Sequence, residues 1–226
     1  MAFDGCFVTG TDTGVGKTLV SAALLHALAR HHARVVGMKP VAAGLVQQGD
    51  AWVAEDALAL RDASTVVVPP ALDNPVRLPE PLSPHLAAAR AGRRVGVAEL
   101  VAAHRELRGL ADVVLVEGSG GWRVPLNDGE TLADLAVALA LPVVLVVGLR
   151  LGCLNHALLS AEAIRADGLH LAGWVANTVD PAMACRDENI DTLRQRLGAP
   201  LLGVVPRQSV PDARAVPLEL PGAWTH

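Results

Sequence analysis

A glycine-rich segment near the start of the chain has the residues best suited to bind a phosphate. It reads Gly10-Thr11-Asp12-Thr13-Gly14-Val15-Gly16-Lys17-Thr18 and lies between an apolar stretch and an apolar-periodic segment. A strand, a glycine-rich turn and a helix in that order form a P-loop, in which helical N–H groups and a lysine contact phosphates and a hydroxyl reaches Mg²⁺. Five residues separate Gly10 from Gly16, where the common pattern has four. An ordinary glycine-rich strand–helix turn is the alternative, and Gly-Lys-Thr in this context favours the phosphate site.

The two lysines of the chain, Lys17 and Lys39, stand out because arginine supplies the rest of the 19 basic residues. Lys39 follows the apolar run Val35-Val36-Gly37-Met38. Groups at the carboxyl ends of neighbouring strands converge on one crevice in an open α/β sheet, so we expect Lys39 to face the same phosphates as Lys17. A compact ammonium there suits phosphoryl transfer. A solvated lysine at a strand end is the alternative.

Two carboxylates could hold a metal ion. Glu117 ends the apolar run Val113-Val114-Leu115-Val116, the position at which NTPases bind Mg²⁺ or its waters. The glycines that follow it allow a backbone to approach a ligand closely. Asp56 lies where a helix could begin, so a role in capping that helix is an equally natural interpretation.

Two further segments follow predicted strands. Leu151-Gly152-Cys153-Leu154-Asn155-His156 opens a helix, and its free N–H groups could bind a carboxylate, although a plain strand–helix turn looks similar. Cys153 has no base near it in sequence, so we interpret it as structural. Asn177 ends a strand and could contact an adenine edge or cap a turn.

Short apolar runs alternate with helical patterns along the chain. Most of the runs are β-branched and nearly continuous, as in parallel strands buried on both faces. The predicted strands are Cys6–Thr9, Arg34–Met38, Val113–Val116, Val143–Val147, Leu171–Ala176 and Leu201–Val205; the predicted helices are Lys17–Arg30, Asp56–Leu60, Leu132–Leu139, Asn155–Ala166 and Arg186–Leu197. This alternation predicts an α/β fold over residues 1–226, a single domain whose mostly parallel sheet has helices on both faces.

Composition excludes several classes of protein. The chain has 226 residues, 51% apolar and 19% charged, with a net charge of −4, which excludes wholesale disorder and argues against nucleic acid as the main partner. No signal peptide or membrane-spanning run is visible, and three scattered cysteines suit a reducing compartment, so we expect a cytoplasmic location and no membrane partner. The Pro69–Pro84 stretch is expected to be a long surface connection, and no role is assigned beyond Pro211.

The motifs together resemble those of the dethiobiotin synthetase family. The matching segments run from Phe7 to about Pro206 in one order: the P-loop, Lys39-Pro40-Val41, Glu80-Pro81-Leu82-Ser83-Pro84-His85, Val116-Glu117-Gly118, Leu151–His156 and Trp174-Val175-Ala176-Asn177. The resemblance implies a P-loop NTPase fold, a homodimer, and ATP- and Mg²⁺-dependent closure of a cyclic urea on 7,8-diaminononanoate with CO₂.

The resemblance also implies roles for individual residues. Catalysis falls to Lys39, Lys17 and Thr13, and metal binding to Thr18, Asp56 and Glu117. The expected nucleotide contacts are Gly14, Val15, Gly16, Lys17, Thr18, Leu19, Asp56, Glu117, Gly118, Ser119, Gly120, Asn177, Thr178, Pro206, Arg207 and Gln208. The expected substrate contacts are Lys39, Ala43, Leu151, Gly152, Cys153, Leu154 and Asn155, the last five across a dimer interface.

Two residues depart from the family pattern. Ala43 stands where the family usually has Ser or Thr, and Gly14 replaces an acidic residue of some relatives.

The main alternative is a partition- or septum-type ATPase switch that recruits a protein partner. Such switches have an extra lysine four residues before the glycine of Gly-Lys-Thr, and Asp12 occupies that position here. Related amidotransferase-type synthetases carry a further glutaminase domain, which we do not expect in a chain of this length.

Overall fold

Six parallel strands form the central sheet of the computed structural model, which describes residues 3–226. The sheet has the order β10-β9-β8-β1-β7-β2, and every neighbouring pair in it is parallel. The strands are β1 (Gly5–Gly10), β2 (Val35–Met38), β3 (Val41–Ala43), β4 (Val46–Gln48), β5 (Ala51–Val53), β6 (Val76–Leu78), β7 (Val113–Glu117), β8 (Val143–Leu149), β9 (Leu171–Thr178) and β10 (Leu201–Val205). Parallel pairing brings the carboxyl ends of all six sheet strands to one edge, where ligands bind in open α/β folds.

Helices connect the strands and cover both faces of the sheet. They are α1 (Lys17–Leu28), α2 (Glu55–Ala63), α3 (Pro70–Asp73), α4 (Pro84–Arg90), α5 (Val97–Arg108), α6 (Leu132–Leu139), α7 (Cys153–Ala166) and α8 (Arg186–Arg196), with 3₁₀ turns at Ala213–Ala215 and Gly222–Trp224. The predicted α/β fold with a mostly parallel sheet is confirmed.

Two apolar cores lie on opposite faces of the sheet, because successive side chains of a strand point to opposite sides. In β1, Cys6 and Val8 pack with α1 and α2, whereas Phe7 packs with the helices of the other face. The first core also includes Val216 and Trp224 of the carboxyl-terminal segment. The segment beyond Pro211, to which the sequence assigned no role, therefore completes one face of the protein.

Both outer strands of the sheet are covered by other parts of the chain. Along β2, Val35 N–H donates to Thr65 Oγ1 at 2.8 Å and Gly37 N–H donates to Ser64 Oγ at 3.0 Å. Along β10, Glu219 N–H donates to Leu202 O at 2.8 Å. These contacts satisfy backbone groups that an exposed edge strand would present to solvent.

The six predicted sheet strands and five predicted helices are all present, with ends that differ by up to three residues. The prediction for Pro69–Pro84 is wrong in part. This stretch contains α3 and β6, and β6 pairs with β3 and buries Val76 and Leu78. It folds inward because alternate residues of Val76-Arg77-Leu78 are apolar. In residues 3–226, no helix is long and apolar enough to cross a membrane.

Candidate functional site

The glycine-rich segment forms a tight turn between β1 and α1. Gly16 caps α1 with φ of 89°, a left-handed conformation that favours glycine. Asn177, at the end of β9, lies beneath this turn, and its Nδ2 donates to Val15 O at 2.8 Å. Asn177 is 7% exposed, so this bond is shielded from water. The amide predicted to contact adenine therefore supports the turn in this structure.

Lys17 begins α1 and extends back over the turn. Its Nζ donates to Asp12 O at 3.0 Å and to Gly120 O at 2.7 Å, so two carbonyls hold the ammonium, and no carboxylate of residues 3–226 forms an ion pair with it. Burial, followed by repulsion from Lys39, lowers the pKa of Lys17 to about 8. An incoming anion would supply the missing countercharge, which suits this lysine to bind phosphate.

Lys39 lies between two acids. Its Nζ is 2.7 Å from Asp56 Oδ2, 2.7 Å from Glu117 Oε1 and 3.2 Å from Gly118 O. Burial alone would lower the pKa of Lys39, but the charges of Glu117 and Asp56 outweigh it and raise the pKa above the ordinary value. Lys39 therefore stays an ammonium ion although only 5% of its side chain is exposed.

Three oxygen-bearing side chains meet beside Lys39 and fit a magnesium ion. Thr18 Oγ1 donates to Glu117 Oε1 at 3.0 Å, and Asp56 in the first turn of α2 shares Lys39 with Glu117. The other oxygen of Glu117, Oε2, is buried and lacks a hydrogen-bond partner in the described part of the chain. Mg²⁺ prefers such hard oxygen ligands, usually one or two carboxylates together with phosphate oxygens. The predicted ligands Thr18, Asp56 and Glu117 thus lie together, and the unpartnered oxygen favours a cation among them.

A cavity of about 630 Å³ brings these groups together. Its lining contains both lysines, predicted site residues, and residues that the sequence analysis did not place in the site. The predicted site residues in the lining, with the two lysines, are Thr13, Gly14, Gly16, Lys17, Thr18, Lys39, Ala43, Asp56, Glu117, Ser119 and Gly120. The residues that were not predicted are Pro81, Leu82, Ser83, Pro84 and Val124. The Glu-Pro-x-Ser-Pro-His sequence was a signal for the 81–84 segment, whereas nothing in the sequence marks Val124.

A second cavity of about 600 Å³ shares Thr18, Ala43 and Asp56 with the first. Leu19 lines it from α1, and Pro211 and Ala213 line it from the segment after β10. The predicted adenine contacts Pro206, Arg207 and Gln208 precede these residues but do not line either cavity. Gln208 instead bridges its own loop, since its Oε1 accepts Asp212 N–H at 2.7 Å. Thr178 is buried at the end of β9, and its Oγ1 has no hydrogen-bond partner within the residues that the structure describes.

The predicted carboxylate-binding segment lies outside these two cavities. Gly152 caps α7 with φ of 96°, Cys153 is buried, and Leu151 is 95% exposed. Leu154 packs against the core and Asn155 is exposed. Within one protomer these residues are not brought to the lysines, and the sequence-based prediction places them across a dimer interface.

An ion pair links the P-loop to the end of β8. The guanidinium of Arg150 contacts Asp12, whose Oδ1 also accepts Thr13 N–H at 2.7 Å. The Thr13 hydrogen bond, followed by Arg150, lowers the pKa of Asp12. Asp12 is therefore anchored by residues of its own chain. Sequence reasoning missed this pair because its members are 138 residues apart.

Several solved structures share this fold. A ParA family ATPase from Chlorobium tepidum matches with a TM-score of 0.55 and 13% identity over 92% of this chain and 86% of that chain. The septum site-determining protein MinD of Pyrococcus horikoshii, complexed with Mg-ADP, matches with a TM-score of 0.55 and 20% identity over 92% and 82%. The MinC:MinD cell division protein complex of Aquifex aeolicus matches with a TM-score of 0.56 and 16% identity over 91% and 82%. At these identities the likeness concerns the fold.

Sequence comparison is more specific than the comparison of folds. A family model described as an AAA domain, AAA_26, matches residues 4–214. The matched range includes the P-loop, Lys39, Asp56 and Glu117, together with the sheet that positions them. The chain therefore belongs to the AAA domain family AAA_26 and is a P-loop NTPase.

Proposed function

We propose that the protein is a dethiobiotin synthetase, which uses ATP to close a cyclic urea on 7,8-diaminononanoate with CO₂. The observation that carries this proposal is the position of the 81–84 segment. Its Glu-Pro-x-Ser-Pro-His sequence belongs to the resemblance and not to P-loops in general. Pro81, Leu82, Ser83 and Pro84 line the same cavity as Lys17 and Lys39. A phosphate site that opens directly onto room for an acceptor suits a ligase.

The reaction proceeds in three steps in this proposal. One amine of the diamine adds to CO₂ and loses a proton, which gives a carbamate. A carbamate oxygen attacks the γ-phosphorus of ATP, the bond to the bridging oxygen breaks, and ADP leaves. The second amine then attacks the carbonyl carbon of the mixed anhydride, loses a proton and expels phosphate as the ring closes. The second and third steps move negative charge across the transferred phosphoryl group.

The chain's own residues position and neutralise these charges. N–H groups from Gly14 to Thr18 and the Lys17 ammonium hold the β- and γ-phosphates. Lys39 faces the transferred phosphoryl group from the end of β2, and it is already protonated and desolvated there. Thr18, Asp56 and Glu117 would hold Mg²⁺, which when bound neutralises phosphate charge and aligns the reacting oxygens. Because little covalent chemistry falls to the protein, charge stabilisation and positioning supply most of the rate.

The test measures ADP release by the purified protein with ATP and Mg²⁺. We expect strong release only when 7,8-diaminononanoate and bicarbonate are both present. Mass spectrometry should find the cyclic product in step with the ADP. A Lys39→Ala variant measured in parallel shows that the product comes from this site. Release that does not depend on the diamine would contradict the proposal.

A partition-type ATPase switch is the second candidate, and the fold shared with ParA and MinD structures favours it. The position of the extra lysine of such switches is taken by Asp12, which pairs with Arg150. That residue adds negative charge to the P-loop, where a lysine would add positive charge. Stimulation of hydrolysis by a protein or DNA partner, with no effect of the diamine, would favour the switch.

A further inference from the structure

Two residues outside the cavity hold the backbone of Lys39 on both sides. Lys39 N–H donates to Asp73 O at 2.7 Å, and Asn74 Nδ2 donates to Lys39 O at 2.7 Å. Pro40 follows Lys39 and has no N–H, so the ladder of the sheet cannot continue through it. Asp73 and Asn74 supply the hydrogen bonds to the Lys39 N–H and C=O groups that the sheet does not supply. They therefore fix the peptide unit from which the Lys39 side chain leaves the strand.

The orientation of the Asn74 side chain is determined by its surroundings. Nδ2 faces two carbonyl oxygens, Lys39 O at 2.7 Å and Val76 O at 3.4 Å, so the opposite amide orientation would place oxygen against oxygen. As a result, Oδ1 is buried with no hydrogen-bond partner among residues 3–226, and Asn74 is 1% exposed. A buried, half-satisfied amide is unfavourable for stability. An asparagine at this position is explained if its N–H group positions Lys39.

The segment 73–74 is also tied to the helix that carries Asp56. Arg61 of α2 binds the carboxylate of Asp73 through Nε at 2.5 Å and Nη2 at 2.6 Å. The Asp73 side chain is 2% exposed, and two parallel bonds from a guanidinium fix both position and angle. Asp56 lies five residues before Arg61 on α2. The backbone of Lys39 and the carboxylate that binds its ammonium are thus joined through one rigid connection.

We propose that Asn74 is a positioning residue that sets the Lys39 ammonium between Asp56 and Glu117, with the Arg61–Asp73 pair bracing it. The Lys39 ammonium tolerates little displacement, because its Nζ lies 2.7 Å from both carboxylates. A displacement of about 1 Å at a reacting group can reduce a rate by about a hundredfold. The role in turnover rests on the proposed function; the placement of Lys39 does not.

The kinetic test uses Asn74→Leu, which keeps the number and branching of the side-chain heavy atoms and removes both the donor and the unpartnered oxygen. We expect kcat to fall by about ten- to a hundredfold, while KM for ATP stays within about twofold, because Lys39 acts on the transition state and Lys17 on bound nucleotide. The melting temperature should not fall with kcat. The matched control is Asn189→Leu, which removes an amide-to-carbonyl bond of 2.7 Å in α8, away from the cavities, and should leave kcat unchanged.

A spectroscopic test reads the position of Lys39 without any reaction. Because the chain has only two lysines, protein labelled with ¹³C at lysine Cε gives two lysine signals. Loss of one signal in Lys39→Arg assigns it. In Asn74→Leu the Lys39 signal should move toward that of a free lysine, while the Lys17 signal stays in place.

The outcomes separate this proposal from the proposed function. If the wild-type protein shows no diamine-dependent ADP release, the synthetase assignment fails. The lysine signals still test whether Asn74 positions Lys39. An unmoved Lys39 signal in Asn74→Leu overturns the positioning role of Asn74, whether or not kcat falls. If Asn74→Leu does not fold, Asn74→Ala is measured in the same way. Failure of both variants to fold would assign Asn74 a purely structural role and also overturn the proposal.

Discussion

A Cβ atom on Gly16 would lie 2.1 Å from Nδ2 of Asn177. The same Nδ2 donates to Val15 O at 2.8 Å, so the end of β9 supports the P-loop turn from below. Backbone and side chain are in such close contact that only a residue without a side chain fits at Gly16. The shape of the phosphate-binding turn thus depends on a residue 162 positions later in the chain.

Gly16→Ala should disrupt nucleotide binding. The substitution combines a clash with Asn177 and the strain of φ at 89°, so the turn must move. We expect the Kd for ATP to rise by at least about tenfold, which corresponds to about 1.4 kcal/mol. Gly14→Ala is the matched control, since Gly14 has φ of 73° but no atom within 4 Å of a Cβ. It should show a clearly smaller loss, and equal losses in a titration calorimeter would contradict the steric argument.

Nucleotide affinity should depend on the protonation of Lys17. Its pKa of about 8 without ligand means that the free protein loses this proton as the pH rises through that value. Bound phosphates favour the ammonium, so ATP binding should take up a proton above pH 8, and affinity should fall by up to about tenfold per pH unit there. Calorimetry in buffers of different ionisation enthalpy measures the uptake. Lys17→Arg, which stays protonated, should bind with little pH dependence.

The same lysine should affect stability without ligand. The folded state holds the proton less tightly than the unfolded chain, whose lysines titrate near 10.5. Between about 8 and 10.5 the unfolded chain binds more protons, so this group's contribution to the free energy of unfolding should rise with pH. Urea unfolding across that range checks the sign. If this contribution to the free energy of unfolding falls as the pH rises, relative to Lys17→Arg, burial does not lower the pKa of Lys17.

Lys39→Arg should lose most turnover although the charge is kept. The Lys39 ammonium fits between two carboxylates and the Gly118 carbonyl in a space that is almost closed to solvent. A planar, larger guanidinium cannot reproduce this arrangement. We expect kcat to fall by at least about a hundredfold, with ATP binding retained. A kcat close to that of the wild type would reject the role proposed for Lys39.

Ala43→Ser should improve use of the diamine. Ala43 lines the cavity with Lys39 and Asp56, and it offers no hydrogen bond to a substrate amine. A hydroxyl there adds one such bond, worth about 1 kcal/mol, so KM for the diamine should fall several-fold. Initial rates at saturating ATP measure the change. An unchanged KM would mean that another group already serves the amine.

Much of the sheet and of the site is predictable from the sequence because the relevant signals are local. Continuous apolar runs marked the six sheet strands, and the two lysines that parallel pairing led us to expect at one crevice line the same cavity. The missed helix α5 also had a local signal. Leu100, Ala103 and Leu107 recur on one face, and Gly96 N–H donates to Glu99 at its start.

The contacts that hold the site in place have no such local signal. Asp73-Asn74-Pro75 has the composition of an ordinary turn, and only the fold brings it against Lys39. The amide of Asn177 could equally bind a base or support a loop, and only the fold shows that one of its N–H groups donates to Val15 O. Long-range partners of polar side chains depend on the packing of whole elements, which residue spacing does not encode.

The covered edges of the sheet restrict how copies of this chain can assemble. On β2 the backbone donors are bound to Thr65 and Ser64, and on β10 the segment around Glu219 occupies the outer side. A neighbouring molecule therefore cannot extend the sheet by adding a strand unless one of these segments first detaches. Contacts between copies at the central sheet would therefore have to use its helices and loops, so their geometry would be set by side chains and not by pairing with β2 or β10.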